Sequence, residues 1–390
     1  MGKINISQVL SVRYPQVVYM GPNSLQKLGP EAVELGASRV MLIADKGIIA
    51  AGIAEQAIDQ LKESGLEVHL YSDFEPSPSL KNVNTCASVV REKKIDLLVG
   101  VGGGSSIDVT KSTAIVGTHP GTISDYLGLH NIRKPGLPKI LIPTTAGSGS
   151  EASQAVVLKD EVDGVKKVAY SRYLLADTVI LDPMLTLSMP RTVTVDSGLD
   201  ALITSMEHYL ALNANPATDI AALESVRLTA GNIRTAYSNG KNVEARYNML
   251  VGSFFAGTSS AAGLGGVHCL CYPLESLFHL THGRANAVMV PYVMEFNRTA
   301  SMAKFSAMAE AMGEKVGSLT LVEASKKAVS AMREILNDLG VSTRLRDYNI
   351  PKESLLEMAE FAVKSGSRLL QTNPRILSVD DAKNIYELAW

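Results

Sequence analysis

The sequence predicts two domains of different class: an α/β N-terminal domain built on a parallel sheet, then an all-helical C-terminal domain. Short β-rich runs alternate with helical stretches through the first half. From about residue 190 the composition turns to Ala, Leu, Met, Glu and Ser, with few β-branched runs. At 390 residues the chain also exceeds what one hydrophobic core usually supports.

The expected strands are Val17–Met20, Arg39–Ile43, Leu66–Leu70, Asp96–Val101 and Lys139–Pro143. Leu66, Val68 and Leu70 alternate with polar residues, as a half-buried strand does. Between the strands, 49–64, 80–94 and 106–117 place apolar residues at helical spacing. Strands that alternate with helices require crossovers, and crossovers make the sheet parallel and right-handed. After Leu181, Asp182 and Pro183 this texture ends, so the expected domains are 1–185 and 186–390. In the second, 216–238, 243–260, 301–312, 321–339 and 352–365 read as helices, interrupted at Gly240, Gly313, Gly340 and Pro351.

Composition narrows the functional classes. Apolar residues are 46% and charged residues 19%, which favours a folded chain over a disordered one. A net charge of −2 gives no field for a polyanion, so nucleic acid is not an expected partner. No apolar run reaches the roughly 18–20 residues of a membrane span, and the N-terminus lacks the apolar core of a secretory signal. Cys86, Cys269 and Cys271 are too few and too unevenly placed for a disulfide framework. A soluble cytoplasmic protein is expected.

Two glycine-rich turns follow expected strands. Gly102, Gly103, Gly104 and Ser105 lead from Asp96–Val101 into a helix. Three glycines let the backbone approach a phosphate, and the N–H groups of the helix start hold the anion. The run is neither the Gly-x-Gly-x-x-Gly fingerprint nor a P-loop. The second turn carries Thr144, Thr145 and Ser148 after Lys139–Pro143, at the sheet edge where open α/β folds bind ligands. Asp45, at the end of another strand, reads either as a helix cap or as the acceptor of ribose hydroxyls. The latter role favours NAD over NADP, because a carboxylate repels a 2′-phosphate. The first run alone reads equally as an ordinary glycine-rich turn; together these features lead us to expect a Rossmann-like dinucleotide-binding domain.

The second domain carries His268 and His282, fourteen residues apart in an apolar, glycine-flanked segment. Upstream, Asp200 and Thr204 share one face of an expected helix. Two imidazoles and a carboxylate are a recognised set for a divalent metal.

Glycines 102–104 with Ser105, Asp108 and Lys111, the run from Pro143 to Glu151, the Gly198–Leu202 segment and the His268…His282-Gly283 segment together resemble the iron-dependent (group III) alcohol dehydrogenases over essentially the full chain. The resemblance implies a homodimer or larger homo-oligomer that reversibly reduces aldehydes or ketones with NAD(P)H at one divalent metal, Fe²⁺ or Zn²⁺. It places the metal ligands at Asp200, Thr204, His268 and His282, with threonine where the family usually has histidine. It sets Tyr272 where the family often has a further histidine near nicotinamide and substrate. Gly103, Gly104 and Ser105 would hold the pyrophosphate. Thr144, Thr145 and Ser148 would line the nicotinamide side, and Lys167 would reach a ribose. Gly102, Asp108 and Asp45 complete the expected cofactor set.

Thr204 leaves two readings of the reaction centre. Three protein ligands already describe many catalytic metal sites, so Asp200, His268 and His282 would polarise a substrate oxygen through the ion. Alternatively, reduction proceeds without metal, with Tyr272 or a water polarising the carbonyl. The expected activity is NAD(H)-dependent alcohol dehydrogenation or aldehyde reduction on a small-molecule substrate. A related polyol or hydroxy-acid dehydrogenase, or a nucleotide-binding protein with a degenerate metal site, are the alternatives. His208 lies about 12 Å along the helix from Asp200 and is expected in a supporting or surface position. His279 is expected at the surface, and the two nearby cysteines as core residues.

Overall fold

The computed structural model describes residues 11–162 and 164–390. Contacts within the described chain divide it into two compact units. One is an α/β unit of residues 13–189 with 241–257, and the other a helical unit of 190–240 and 258–390 together with residues 11 and 12.

Among the described residues the α/β unit contains nine strands: β1 Val17–Met20, β2 Arg39–Ala44, β3 Glu67–Tyr71, β4 Leu97–Gly102, β5 Gly128–Leu129, β6 Lys139–Pro143, β7 Ala155–Lys159, β8 Lys166–Tyr170 and β9 Thr178–Leu181. Its helices are α1 Leu28–Glu34, α2 Lys46–Ala50, α3 Ile53–Glu63, α4 Leu80–Lys93 and α5 Gly104–Val116. Six strands form a parallel sheet ordered β1-β9-β6-β4-β2-β3. The central strands β2, β4 and β6 are buried almost throughout, as a sheet covered on both faces requires. Val40, Leu42, Val99, Val101, Ile140 and Ile142 supply one face of that core, while Met41, Ile43 and Leu98 supply the other.

The chain runs from β2 outward to β3, returns across β2 to β4, and then builds in the opposite direction to β6. That reversal opens a crevice at the carboxyl ends of β2 and β4, the usual ligand position in such sheets. The short three-stranded sheet β5-β8-β7, with its antiparallel β7–β8 hairpin, was not expected from sequence; neither was β9 as a strand.

The helices after residue 190 are α6 Arg191–Leu210, α7 Pro216–Ser238, α8 Val243–Thr258, α9 Gly266–Ser276, α10 His282–Arg298, α11 Met302–Ala311, α12 Leu321–Asp338, α13 Leu355–Ser365, α14 Ser367–Leu370 and α15 Val379–Ala389. Most of α8 belongs to the α/β unit, where Leu250 and Phe254 pack with Leu141, Val179 and Leu181. Phe254 is therefore a core residue. No single described helix is long and apolar enough to cross a membrane. Cys86, Cys269 and Cys271 are all buried free thiols.

Candidate active site

In the α/β unit, three expected cofactor segments follow the adjacent strands β2, β4 and β6. Asp45 caps α2: its Oδ1 accepts the N–H groups of Gly47 (2.8 Å) and Ile48 (3.1 Å). Its Oδ2 accepts the Ser106 hydroxyl at 3.3 Å, so the carboxylate stands against the glycine turn after β4. Gly102 holds φ +146°, which a side chain would strain. The two glycine turns lie side by side. A Cβ on Gly103 would be 3.3 Å from Thr145 Oγ1, and one on Gly104 only 2.8 Å from Ser148 Oγ. Helix α5 starts at Gly103 with no side chain capping it. Its first N–H groups thus remain available to an anion. Thr144 is buried, and its hydroxyl has no partner among the described residues. An uncapped helix start, a bare glycine turn and an unpartnered hydroxyl fit a dinucleotide.

Asp108 stands apart from this set. It is buried, with Oδ1 accepting the Ser150 hydroxyl and Oδ2 accepting Val157 N–H at 2.9 Å. Both oxygens bind the chain itself, so Asp108 fastens the Ser150 segment and the β7–β8 hairpin to α5 instead of presenting an oxygen to a cofactor. Lys111, one turn later, donates to the carbonyls of Ser150 (2.8 Å), Ser153 (3.0 Å) and Ala155 (2.6 Å). Lys167 lies on β8, opposite Leu158, with Nζ 3.9 Å from Asp160 Oδ2.

Burial also governs protonation around Lys111. It lowers the Lys111 ammonium to about 8 and pushes the Glu151 carboxyl up to about 7. One Glu151 oxygen has no partner. A carboxyl raised on folding binds its proton more tightly in the folded state than in the unfolded one. Its stabilising contribution is therefore complete below the ordinary carboxylate pKa and declines as pH rises to about 7. The melting temperature of Glu151→Gln should accordingly fall less over that interval than that of the unaltered protein. Parallel curves would refute the assignment.

The helical unit brings Asp200, His268 and His282 together. Asp200 Oδ1 is 3.8 Å from His268 Nε2 and 3.5 Å from His282 Nε2. All three ligand atoms lie within 4.8 Å of one another, as a single ion requires. Asp200 comes from α6, His268 from the first turn of α9 and His282 from the first residue of α10. Thr204 lies beside them, its hydroxyl 3.5 Å from His268 Nε2.

A carboxylate backs each imidazole, Glu207 buried and Glu275 partly buried. Glu207 Oε2 accepts from His268 Nδ1 at 2.6 Å, and Glu275 Oε1 from His282 Nδ1 at 2.7 Å. These bonds fix each ring so that Nε2 faces the cluster, the usual support for metal-binding histidine. Glu207 also accepts the N–H groups of Gly265 (3.1 Å) and Val267 (2.6 Å), so one side chain caps α9 and aims its histidine. The start of α10 is held by Asp196 of α6, which accepts from Thr281 Oγ1 (2.7 Å) and Arg284 Nε (2.9 Å). Gly283 permits this approach, since a Cβ there would collide with the Asp196 carbonyl.

Burial alone would raise the Asp200 and Glu207 carboxyls. For Asp200, His282, His268 and the Asn286 amide outweigh it and hold the group below the carboxylate range. For Glu207, His268 and the backbone N–H groups do the same. Burial would lower His268, but its bonds to Asp200 and Glu207 raise it to about 9. The site therefore concentrates negative charge where a cation would sit.

Glu207, Glu275 and Asn286 are the residues that sequence reasoning missed. Glu207 falls one turn beyond Thr204, Glu275 seven residues after His268, and Asn286 one turn after His282. Helical spacing from the ligands was the signal available. Tyr272, one turn after His268, is half-buried, and burial raises its phenol well above the ordinary value. His208 is buried and bonded through Nδ1 to Ser259 Oγ at 2.9 Å, which excludes the surface position. His279 is exposed with φ +57°.

Sheet, glycine turns and carboxylate-backed histidine cluster define an oxidoreductase of alcohols and aldehydes. Residues 15–183 match the family described as iron-containing alcohol dehydrogenase, and residues 194–390 match the C-terminal region of the Fe-containing alcohol dehydrogenase family. The chain belongs to this family. It is 38% identical over 386 residues to long-chain-alcohol dehydrogenase 1 of Geobacillus thermodenitrificans, covering 98% of this chain and 97% of that one. The crystal structure of a 1,3-propanediol oxidoreductase superposes with a TM-score of 0.95 at 35% identity, covering 98% of this chain and 100% of the other. The sulfoacetaldehyde reductase of Bifidobacterium kashiwanohense, solved in complex with NAD⁺, gives a TM-score of 0.88 at 25% identity, covering 98% and 99%.

Proposed function

We infer that this chain interconverts small aldehydes and alcohols with NAD(H), using a divalent ion, Fe²⁺ or Zn²⁺, held by Asp200, His268 and His282. The observation that carries the reading is the convergence of three ligand atoms, both imidazoles being aimed by carboxylates. A degenerate site would have no use for that second layer.

When bound, the ion supplies Lewis-acid polarisation of the substrate oxygen, and the nicotinamide supplies or accepts the hydride. The protein's part is positioning and electrostatics. The uncapped start of α5 and the bare turn at Gly103 and Gly104 receive the pyrophosphate. Asp45, with Oδ1 engaged in capping, directs Oδ2 toward the turn and disfavours a 2′-phosphate, which selects NAD over NADP. Thr144, Thr145 and Ser148 offer hydroxyls along the second turn. Burial keeps the Tyr272 phenol protonated at neutral pH, so it acts as a hydrogen-bond donor. Lys167 on its hairpin is assigned to a ribose. The assembly is a cytoplasmic homodimer or larger homo-oligomer of two-domain subunits.

The test is NADH oxidation with a panel of short aldehydes, before and after chelation and after adding back Zn²⁺ or Fe²⁺. Activity should vanish on chelation, return with metal and prefer NADH to NADPH. Full activity in a metal-free preparation would refute the metal-dependent reading.

A further inference from the structure

Asn286 is wholly buried on α10, one turn after His282. Its Nδ2 stands 3.1 Å from Asp200 Oδ1, 3.3 Å from His268 Nε2 and 3.3 Å from His282 Nε2. Its Oδ1 has no hydrogen-bond partner among the described residues. This is an uncomfortable arrangement. An amide nitrogen carries two hydrogens and cannot donate to all three of these atoms, while a buried, unbonded carbonyl loses its solvation without compensation.

The distances have a simpler meaning around an ion. Four atoms bound tetrahedrally at about 2.0–2.2 Å would stand about 3.3–3.6 Å from one another. The amide terminus keeps 3.1–3.3 Å from all three ligand atoms, and Asp200 keeps 3.5 and 3.8 Å from the two histidines. The amide therefore occupies the fourth corner. Thr204 offers only a hydroxyl, 3.5 Å from His268 Nε2. The two ends of a carboxamide have nearly the same shape, so a half-turn of the group puts Oδ1 where Nδ2 lies.

We propose that Asn286 is the fourth protein ligand of the metal, through Oδ1, taking the place of the imidazole that residue 204 does not supply. The assignment rests on Asp200, His268 and His282 being metal ligands. A neutral carbonyl oxygen is harder than imidazole, so the exchange shifts the site toward oxygen-preferring divalent ions.

The experiment removes metal with a chelator and titrates back Co²⁺, read by its ligand-field absorption, and Zn²⁺, read by competition with a chromophoric chelator. Asn286→Ala should weaken Zn²⁺ binding at least about tenfold and change the Co²⁺ spectrum. Asn286→Asp keeps an oxygen at the same place but has no hydrogen to donate, and should restore both. Zn²⁺ affinity of Asn286→Ala within about twofold, with an unchanged Co²⁺ spectrum, would overturn the proposal. So would an Asn286→Asp protein as weak as Asn286→Ala, which would mark the amide as a donor that only positions Asp200. If Asn286→Ala fails to fold, as judged by its thermal melt, Asn286→Asp against the unaltered protein still decides. An unaltered protein that takes up neither ion overturns the three-residue metal site as well, which separates the two failures.

Discussion

His268→Ala and His282→Ala should each lower kcat by about a thousandfold, some 4 kcal/mol in the barrier, as expected for losing polarisation of the reacting oxygen. NADH affinity should stay unchanged in both. The glycine turns, Asp45 and the start of α5 belong to the α/β unit, and both histidines to the helical one. Steady-state kinetics with fluorescence titration of NADH separates the two effects. Turnover retained in both variants would contradict the site. Cofactor binding lost together with turnover would mean that the substitutions damage more than the metal ligands.

Glu207→Ala should be the most destabilising change near the site. It leaves the N–H groups of Gly265 and Val267 without an acceptor and His268 Nδ1 without its carboxylate, all in buried surroundings. A cost of about 3 kcal/mol follows from breaking such a pair, with metal affinity reduced about 10–100-fold. Glu207→Gln keeps an amide oxygen for the backbone and should recover part of the stability. The dependence on pH has a definite sign. The folded carboxyl is held below its ordinary value, so its stabilisation is present above the unfolded pKa and is lost as pH falls through the folded one. Denaturant unfolding on the acid side should therefore show a steeper loss for the unaltered protein than for Glu207→Gln. Equal slopes would argue against an ionised Glu207.

The fold class, an α/β domain followed by a helical one, was legible because burial writes itself into local pattern. β2, β4 and β6 are unbroken apolar runs, and their glycine turns mark where the backbone must come close to something. The β7–β8 hairpin was not legible. Ala155–Lys159 buries only alternate residues, and Lys159, Lys166 and Lys167 dilute the apolar signal. Helices α9 and α10 were obscured by Pro273, Pro291 and the glycines at their starts. The address of α8 depends on Leu250 and Phe254 meeting residues of the sheet, a long-range packing fact that no periodicity carries.

Among the site residues, the histidines and Asp200 stood out because imidazoles in an apolar segment demand a partner. Their supports did not, since a glutamate or asparagine on a helix is ordinary until its neighbours are known. Asp108 shows the opposite case: its place in a glycine-rich motif suggested ligand contact, and the bonds its oxygens make tie one segment of the domain to another, which no motif conveys.

Helix α6 carries the anchor Asp196, the ligand Asp200, the substituted Thr204 and the orienting Glu207 along one rod. Spacing along that rod is fixed by the backbone, so exchanging a side chain at 204 alters one corner and leaves the others registered. Deleting a single residue between 196 and 207 would instead rotate everything downstream by about 100° and separate the anchor from the carboxylate it serves. The site can thus drift by substitution while remaining intolerant of any change in length, which is how a threonine comes to stand among otherwise intact neighbours.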